Sequence, residues 1–130
     1  MGYEFHWEPP HGLVRKFFGR VSDEEVSEAN RHAEASPSFD ALRYVVNDFT
    51  ECTGANYSAG SVDEIAAVDC AAANFNPRIR IAIAATHPEV VVASRMYAAN
   101  PLNPFETRIF TSVADARAWL GQHGTVMRAE

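Results

Sequence analysis

The sequence predicts an α/β domain with a small mixed sheet, mostly parallel, that begins with an antiparallel hairpin and carries about four helices. Two observations predict this class. Apolar runs typical of strands alternate with segments that carry helix-start chemistry. Strands that alternate with helices favour parallel pairing, because each crossover returns the chain to the same end of the sheet. With 130 residues, the chain has the length of one domain, and we assign residues 1–130 to it.

The first two strands are predicted on either side of a turn. Residues 8–12 (EPPHG) have turn composition, and Pro and Gly are the strongest local signals of a turn. They separate residues 3–7 from residues 13–21, and both of these segments are rich in the aromatic and β-branched residues typical of strands. The two segments therefore predict an antiparallel pair. Three later strands are expected at residues 43–50, 78–86 and 107–111.

Three of the four predicted helices start at a serine that is followed, three residues later, by a carboxylate. The serine oxygen accepts a backbone N–H of the first turn, and the carboxylate is favourable at the positive end of the helix dipole. These pairs are Ser22 with Glu25, Ser61 with Glu64, and Ser112 with Asp115. The other helix is predicted to start at Pro88, with Thr86 or His87 as its cap. The helices are expected at residues 23–35, 62–75, 88–99 and 113–122.

The spacing of apolar residues predicts which face of the second helix is buried. Its apolar residues recur at intervals of three and four, which predicts one stripe that lies on the sheet. The stripe consists of Val62, Ile65, Val68, Ala72 and Phe75. The last helix is expected to end at Gly121 and Gly124, because glycine tolerates a left-handed C-cap.

The composition argues against several kinds of partner. Lys and Arg number 11 against 17 Asp and Glu, which gives a net charge of −6. Nucleic acids and anionic membranes attract basic surfaces, so neither is expected as a partner. No apolar run approaches the ~20 residues of a bilayer-spanning helix, and the first residues lack the pattern of a secretion signal. We therefore expect a cytoplasmic protein with no membrane span.

No cofactor and no metal is predicted. The sequence lacks the glycine-rich motifs that bind dinucleotides and triphosphates, and its five histidines do not have metal-ligand spacing. Cys52 and Cys70 are expected to be free thiols. Arg15, Lys16 and Arg20 lie among aromatic residues of the second strand, and we interpret this stretch as ordinary strand packing rather than a nucleic-acid surface.

Polar side chains follow the third and fourth predicted strands. Ligands of open α/β sheets favour the crevice beyond the carboxyl ends of the strands, and the predicted connection at residues 51–60 is longer than most. The candidate binding residues are Asp48, Thr50, Tyr57, Ser58, Thr86 and His87. The alternative is that these residues only close loops and cap helices, for which their types are also typical.

Residues 97–105 place apolar side chains in a segment that also contains Asn and Pro. Leu102 and Phe105, next to Tyr97 at a predicted helix end, suggest the lip of a pocket or a contact patch between two copies. The alternative is that this segment packs on the sheet.

The order of the elements, with RIRIAI at residues 78–83 and FTSVADARAWL at residues 110–120, resembles the SpoIIAA-like proteins. These belong to the STAS (sulfate transporter and anti-sigma factor antagonist) superfamily and are distantly similar to the Sec14-type fold. The resemblance covers about residues 10 to 122. It implies a bacterial regulatory domain that acts by binding, without chemistry of its own. In anti-sigma antagonists, a kinase partner phosphorylates a serine at the start of the helix after the third strand. The closest positions here are Ser58 and Ser61.

Three functional hypotheses follow. The first is a non-enzymatic binding or regulatory module that engages a protein partner or a small apolar ligand through residues 48–60 and 86–90. The second is a small enzyme that uses His87 with Asp48 or Ser58 for acid–base work, since histidine titrates near neutral pH. The third is a structural homodimer formed through residues 97–105 and the edge of the hairpin.

Overall fold

The computed structural model describes residues 2–122 and contains a five-stranded sheet with four α-helices. The strands are β1 (Gly2–Glu8), β2 (Gly12–Ser22), β3 (Tyr44–Asn56), β4 (Arg80–Ala84) and β5 (Glu106–Phe110). The helices are α1 (Asp23–Glu34), α2 (Ala59–Ala72), α3 (Pro88–Ala99) and α4 (Val113–Gln122), and a short 3-10 turn lies at Phe39–Ala41. This order of strands and helices is the one that the sequence predicted.

The sheet has the strand order β1-β2-β3-β4-β5. β1 pairs antiparallel with β2, and the pairs β2–β3, β3–β4 and β4–β5 are parallel. The predicted mixed sheet, mostly parallel with an initial hairpin, is therefore confirmed.

Each face of the sheet has its own apolar core, because successive side chains of a strand point to opposite faces. The larger core lies against α1, α2 and α3 and includes Leu13 and Phe17, which have no exposed surface. The smaller core lies against α4 and packs Tyr44 and Val46 with Trp119. The position of a residue along its strand therefore decides which of the two cores its side chain faces.

Two helix starts agree with the prediction in detail. Ser22 and Glu25 form a reciprocal capping box at the start of α1. His87 caps α3 by accepting the backbone N–H of Glu89, and Pro88 occupies the first helical position. α4 also starts as expected, but it includes Gly121 and does not end there. Gly124 lies outside the described residues.

The predicted long connection at residues 51–60 is wrong. β3 has 13 residues and continues to Asn56, because the long strand β2 offers it a pairing partner as far as Ser22. The polar segment after Thr50 is therefore part of the sheet. Only Tyr57 and Ser58 connect β3 to α2.

The predicted cap and buried stripe of α2 also need correction. Ser58 is the N-cap, and Ser61 is its capping-box partner in the first turn. Val68 is 47% exposed, and Phe75 lies beyond the helix end with 78% exposure. At about 100° per residue, Val62, Ala66 and Asp69 lie within about 60° of one another, whereas Val68 lies about 100° from Asp69. The buried row therefore contains an acid, Asp69, which the predicted stripe did not include.

A hydrogen-bonded contact joins the hairpin turn to α4. Nη1 and Nη2 of Arg117 donate to Oε1 and Oε2 of Glu8, respectively, and the Tyr44 hydroxyl donates to the same carboxylate. The Tyr44 ring crosses Gly12 so closely that a Cβ at that position would lie 2.1 Å from the ring. This contact fixes the amino-terminal hairpin against the helix at the other end of the described chain.

None of the helices within residues 2–122 combines the length and apolar character that a membrane crossing requires.

Asn76 ties the segment before β3 to the segment before β4. Its side chain is almost completely buried. It donates to the carbonyls of Phe39 (2.8 Å) and Leu42 (2.9 Å) and accepts from the N–H of Arg78 (3.2 Å). Each of these backbone groups would lose this partner if the amide were removed.

We expect Asn76→Ala to lower the free energy of unfolding by about 2–4 kcal/mol, because it leaves two buried carbonyls without this donor. Chemical denaturation measures the change. Asn74→Ala is the matched control, since Asn74 is exposed and its truncation should change stability by less than about 0.5 kcal/mol. Equal effects of the two substitutions would contradict the assigned role of Asn76.

Candidate functional site

A cavity lies between the sheet and helices α1, α2 and α3. Its volume is about 130 Å³, similar to the ~150 Å³ engineered cavity that accepts benzene. Most of its wall is apolar and is supplied by strands on one side and helices on the other. The apolar lining includes Leu13, Val45, Phe49, Ile81, Ile83 and Val90. The space is therefore suited to a small apolar group.

Some lining residues keep contact with solvent. Asn56, at the end of β3, is exposed, and Asp23 and Tyr57 are half-buried. These residues place one end of the cavity beside the carboxyl ends of β2 and β3, while Leu42, Ile79 and Phe105 line it near the amino ends of the strands. The first of these ends is the edge of a parallel sheet at which ligands usually bind.

A buried arginine projects into the same space. Arg15 of β2 is 6% exposed and lines the cavity. Its Nε donates to Oδ1 of Asn47 (2.8 Å), and its Nη1 donates to Oδ1 of Asn30 (2.6 Å). Arg15 therefore connects β2, β3 and α1 through side chains that are themselves buried.

Two acids and a tyrosine complete what we call the interior polar cluster. Asp69 of α2 is buried and accepts a hydrogen bond of 2.5 Å from the Tyr97 hydroxyl of α3. Glu34, at the end of α1, is partly exposed and lines the cavity. The cluster consists of Arg15, Asn30, Glu34, Asn47, Asp69 and Tyr97.

Burial governs the ionisation of this cluster. It lowers the pKa of Arg15, although the charge of Asp69 opposes that shift. Burial raises the pKa of Asp69, against the hydrogen bond from Tyr97 and the charge of Arg15. Burial, reinforced by the charge of Asp69, raises the pKa of Glu34 to about 7. The cavity therefore contains a cation beside two acids whose ionised forms are disfavoured.

The sequence carried a signal for this cluster that we did not use. Arg15 alternates with Leu13 and Phe17, which belong to the larger core, so the alternation places its side chain inside. Asn47 lies between Val45 and Phe49 in the same way. The interpretation of this basic stretch as ordinary strand packing did not separate Arg15, whose side chain is buried, from Lys16, whose side chain lies on the opposite face.

The structure separates the candidate residues that were expected to share one site. Asp48 and Thr50 lie within β3, not at its end. Asp48 accepts from the backbone N–H (2.9 Å) and the hydroxyl (2.6 Å) of Thr50. The cavity is lined by Asn47 and Phe49, so Asp48 points to the opposite face of the sheet.

The other candidates lie at the starts of helices. Ser58 caps α2 and His87 caps α3, while Thr86 is exposed. Tyr57 is the candidate that lines the cavity. Asp48, Ser58 and His87 each bond to groups within three residues along the chain. The local roles of capping and loop closure thus account for most of these side chains.

The apolar segment at residues 97–105 divides in the same way. Tyr97 turns inward to Asp69, and Phe105 belongs to the larger core. Leu102 is 45% exposed. Tyr97 and Phe105 therefore follow the alternative of packing on the sheet, and both line the cavity.

The start of α3 is attached to the end of β3 beside the cavity. The Glu89 carboxylate accepts the backbone N–H of Ala55 at 3.0 Å and contacts Arg20 at 3.3 Å. The hydrogen bond from Ala55 lowers the pKa of Glu89, and the charge of Arg20 contributes to this shift. A Cβ on Gly54 would lie 2.3 Å from the Arg20 guanidinium, so a side chain at position 54 would require the flexible Arg20 side chain to shift.

We expect Glu34→Gln to remove a pH dependence of stability. Because folding raises the pKa of Glu34 from 4.5 to about 7, the folded chain binds the proton more tightly. Its contribution to stability is full below about pH 4.5 and is lost as the pH rises through about 7. Between about pH 5 and pH 8, the wild type should lose about 1–2 kcal/mol more than the variant, a value reduced from the full shift by solvent screening.

Urea denaturation at both pH values measures this difference. Glu28→Gln on the same helix is the matched control, because Glu28 is exposed and outside the cavity. Parallel pH profiles for the wild type and Glu34→Gln would contradict the prediction.

No protein-family model and no curated protein matches this sequence. Solved structures do match the fold. The anti-sigma factor antagonist SpoIIAA in its unphosphorylated form has a TM-score of 0.60 at 10% identity, with 95% of this chain and 100% of that chain covered. The Bacillus cell fate determinant SpoIIAA in the phosphorylated form has a TM-score of 0.58 at 10% identity, with 92% of this chain and 99% of that chain covered.

A third similar structure is an uncharacterized protein from Shewanella loihica PV-4 with a SpoIIAA-like fold. It has a TM-score of 0.54 at 20% identity, and 92% of each chain is covered. The order of elements and these likenesses together confirm the resemblance drawn from the sequence, at the level of the fold. The chain has a SpoIIAA-like fold of the STAS type.

Proposed function

We propose that this chain is a non-enzymatic binding module that takes a small apolar ligand into the cavity between the sheet and helices α1–α3. The cavity itself is the observation that carries the proposal. It has a volume of about 130 Å³ and a mostly apolar lining, and burying apolar surface contributes about 25 cal/mol per Å². A ligand that fills the space would gain this free energy from its own apolar surface and from that of the lining.

The position of the cavity supports a regulatory role. Its wall is shared by three helices and the central strands, so a ligand would contact several elements at once. Anything that binds the folded state alone stabilises that state. Occupancy would therefore affect the surface through Asp23, at the start of α1, and Tyr57, before α2, which line the cavity and are half-buried.

We expect small apolar probes to raise the thermal unfolding midpoint of the wild type. With 1-octanol at about ten times its dissociation constant, the gain in unfolding free energy should be about 1.4 kcal/mol. Ala72→Leu adds a branched side chain to the cavity wall and should abolish the effect of the probe. Ala71→Leu is the matched control, since Ala71 is exposed on the same helix. The proposal fails if octanol leaves the wild-type midpoint unchanged, or if Ala72→Leu responds like Ala71→Leu.

A protein partner at the start of α2 is our second candidate. Ser58 is exposed and caps the helix that follows the third strand. The similar solved structures include SpoIIAA in both unphosphorylated and phosphorylated forms. A phosphoryl group at a helix N-terminus gains from the helix dipole and adds a charge of about −2 that a partner can sense. Ser61, in the same turn, is the other candidate for this modification.

We expect protein purified from its native cells to carry a phosphoryl group at Ser58 or Ser61 in part of the population. Intact-mass measurement followed by peptide mapping locates it, and Ser58→Ala and Ser61→Ala are mapped in parallel. Unmodified protein under all growth conditions, or modification only at other residues, would contradict this candidate.

A further inference from the structure

Arg15 holds more hydrogen-bond donors than its neighbours use. A guanidinium has five N–H donors in a planar fork. Nε and Nη1 each donate once, to Asn47 and Asn30. Among residues 2–122, no side chain or carbonyl accepts a hydrogen bond from Nη2. A charged group that is almost completely buried therefore presents unused donors, and it does so on the wall of the cavity.

Within residues 2–122, the buried cation also lacks a close counter-charge. The ion pairs within 4.0 Å among residues 2–122 do not include Arg15. Asp69 is near enough to influence it electrostatically, but one Asp69 oxygen is committed to Tyr97. The partners of Arg15 are the neutral amides of Asn30 and Asn47. Burying a charge with so little compensation is costly unless another group supplies the pairing.

We propose that the cavity ligand is a small organic acid, with its carboxylate on the Nη2 side of Arg15 and its apolar body along the wall formed by β3 and β4. This proposal rests on the proposed function and names the ligand class of the same site. Arginine pairs with carboxylates through parallel N–H···O bonds, and such charge-assisted bonds are strong in a dry interior. The cavity volume of about 130 Å³ limits the body to roughly the size of an aromatic ring or a medium alkyl chain.

The apolar wall and the arginine are arranged so that one molecule reaches both. Asn47 and Val45 lie on the inner face of the same strand, and Ile81 pairs with Val45 on the next strand. A ligand held at Arg15 would lie along this row. The two acids of the cluster do not supply the missing bonds, because neither donates to nor accepts from Arg15 in the structure.

The test compares three ligands of equal chain length, namely octanoate, 1-octanol and octylamine, by isothermal titration at about pH 7, where the acid is ionised. Octanoate should bind the wild type at least about tenfold more tightly than octanol, since a hydrogen bond to a charged group contributes on this scale. Arg15→Met removes the fork and keeps a long unbranched side chain. It should abolish the preference for octanoate, so that octanoate and octanol bind the variant within about threefold of each other.

Lys16→Met is the matched control. Lys16 is the next residue of β2, on the opposite face, where it contacts Glu51 at 2.9 Å, so its loss should leave the preference intact. If Arg15→Met does not fold, the NMR resonance of the Arg15 Nε–Hε group in the wild type serves as the second readout. That resonance, assigned through Arg15→Lys, should shift on addition of octanoate and not of octanol.

The outcomes distinguish this inference from the proposed function. Equal binding of octanoate and octanol overturns the carboxylate assignment and leaves the apolar-ligand function standing. Tightest binding of octylamine also overturns it and indicates that Asp69 and Glu34 recognise a cation. Binding of none of the three contradicts both proposals.

Discussion

The burial of one guanidinium organises this molecule. Arg15 projects from β2 into the space under three helices, and its amide partners come from β3 and α1. Because a buried charge must be hydrogen-bonded, the positions of these elements are coupled. Asp69 on α2 and Tyr97 on α3 extend the same cluster. Every helix on that face of the sheet therefore contributes a polar group to one interior cluster, and this cluster forms part of the cavity wall.

Local chemistry explains which parts of the fold could be predicted from sequence. Helix starts depend on a few adjacent residues. The capping box of Ser22 with Glu25 and the start of α3 at Pro88 were therefore predicted correctly. The length of β3 depends on a partner strand far away in the sequence, and the polar residues after Thr50 gave no sign of it. The choice of Ser58 over Ser61 as cap followed from that same length, since the strand leaves only two residues before the helix.

The candidate site illustrates how one step of alternation changes a functional assignment. Asn47 and Asp48 are neighbours in β3, yet the first belongs to the cavity and the second to the other face. Polar residue types alone favoured Asp48. The direction of each side chain, which alternates along a strand, favoured Asn47. The cavity itself could not be foreseen, because it depends on how three helices rest on the sheet and not on any single segment.

The contact between Glu8 and Arg117 spans 109 positions of the chain. A ribosome synthesises the chain from its amino terminus, so the hairpin emerges long before α4. During synthesis, the carboxylate of Glu8 therefore stays without its Arg117 partner until α4 has been made. The smaller core, which also needs Trp119 and Leu120, is completed at the same late moment. Folding of this face of the sheet is thus coupled to the synthesis of α4.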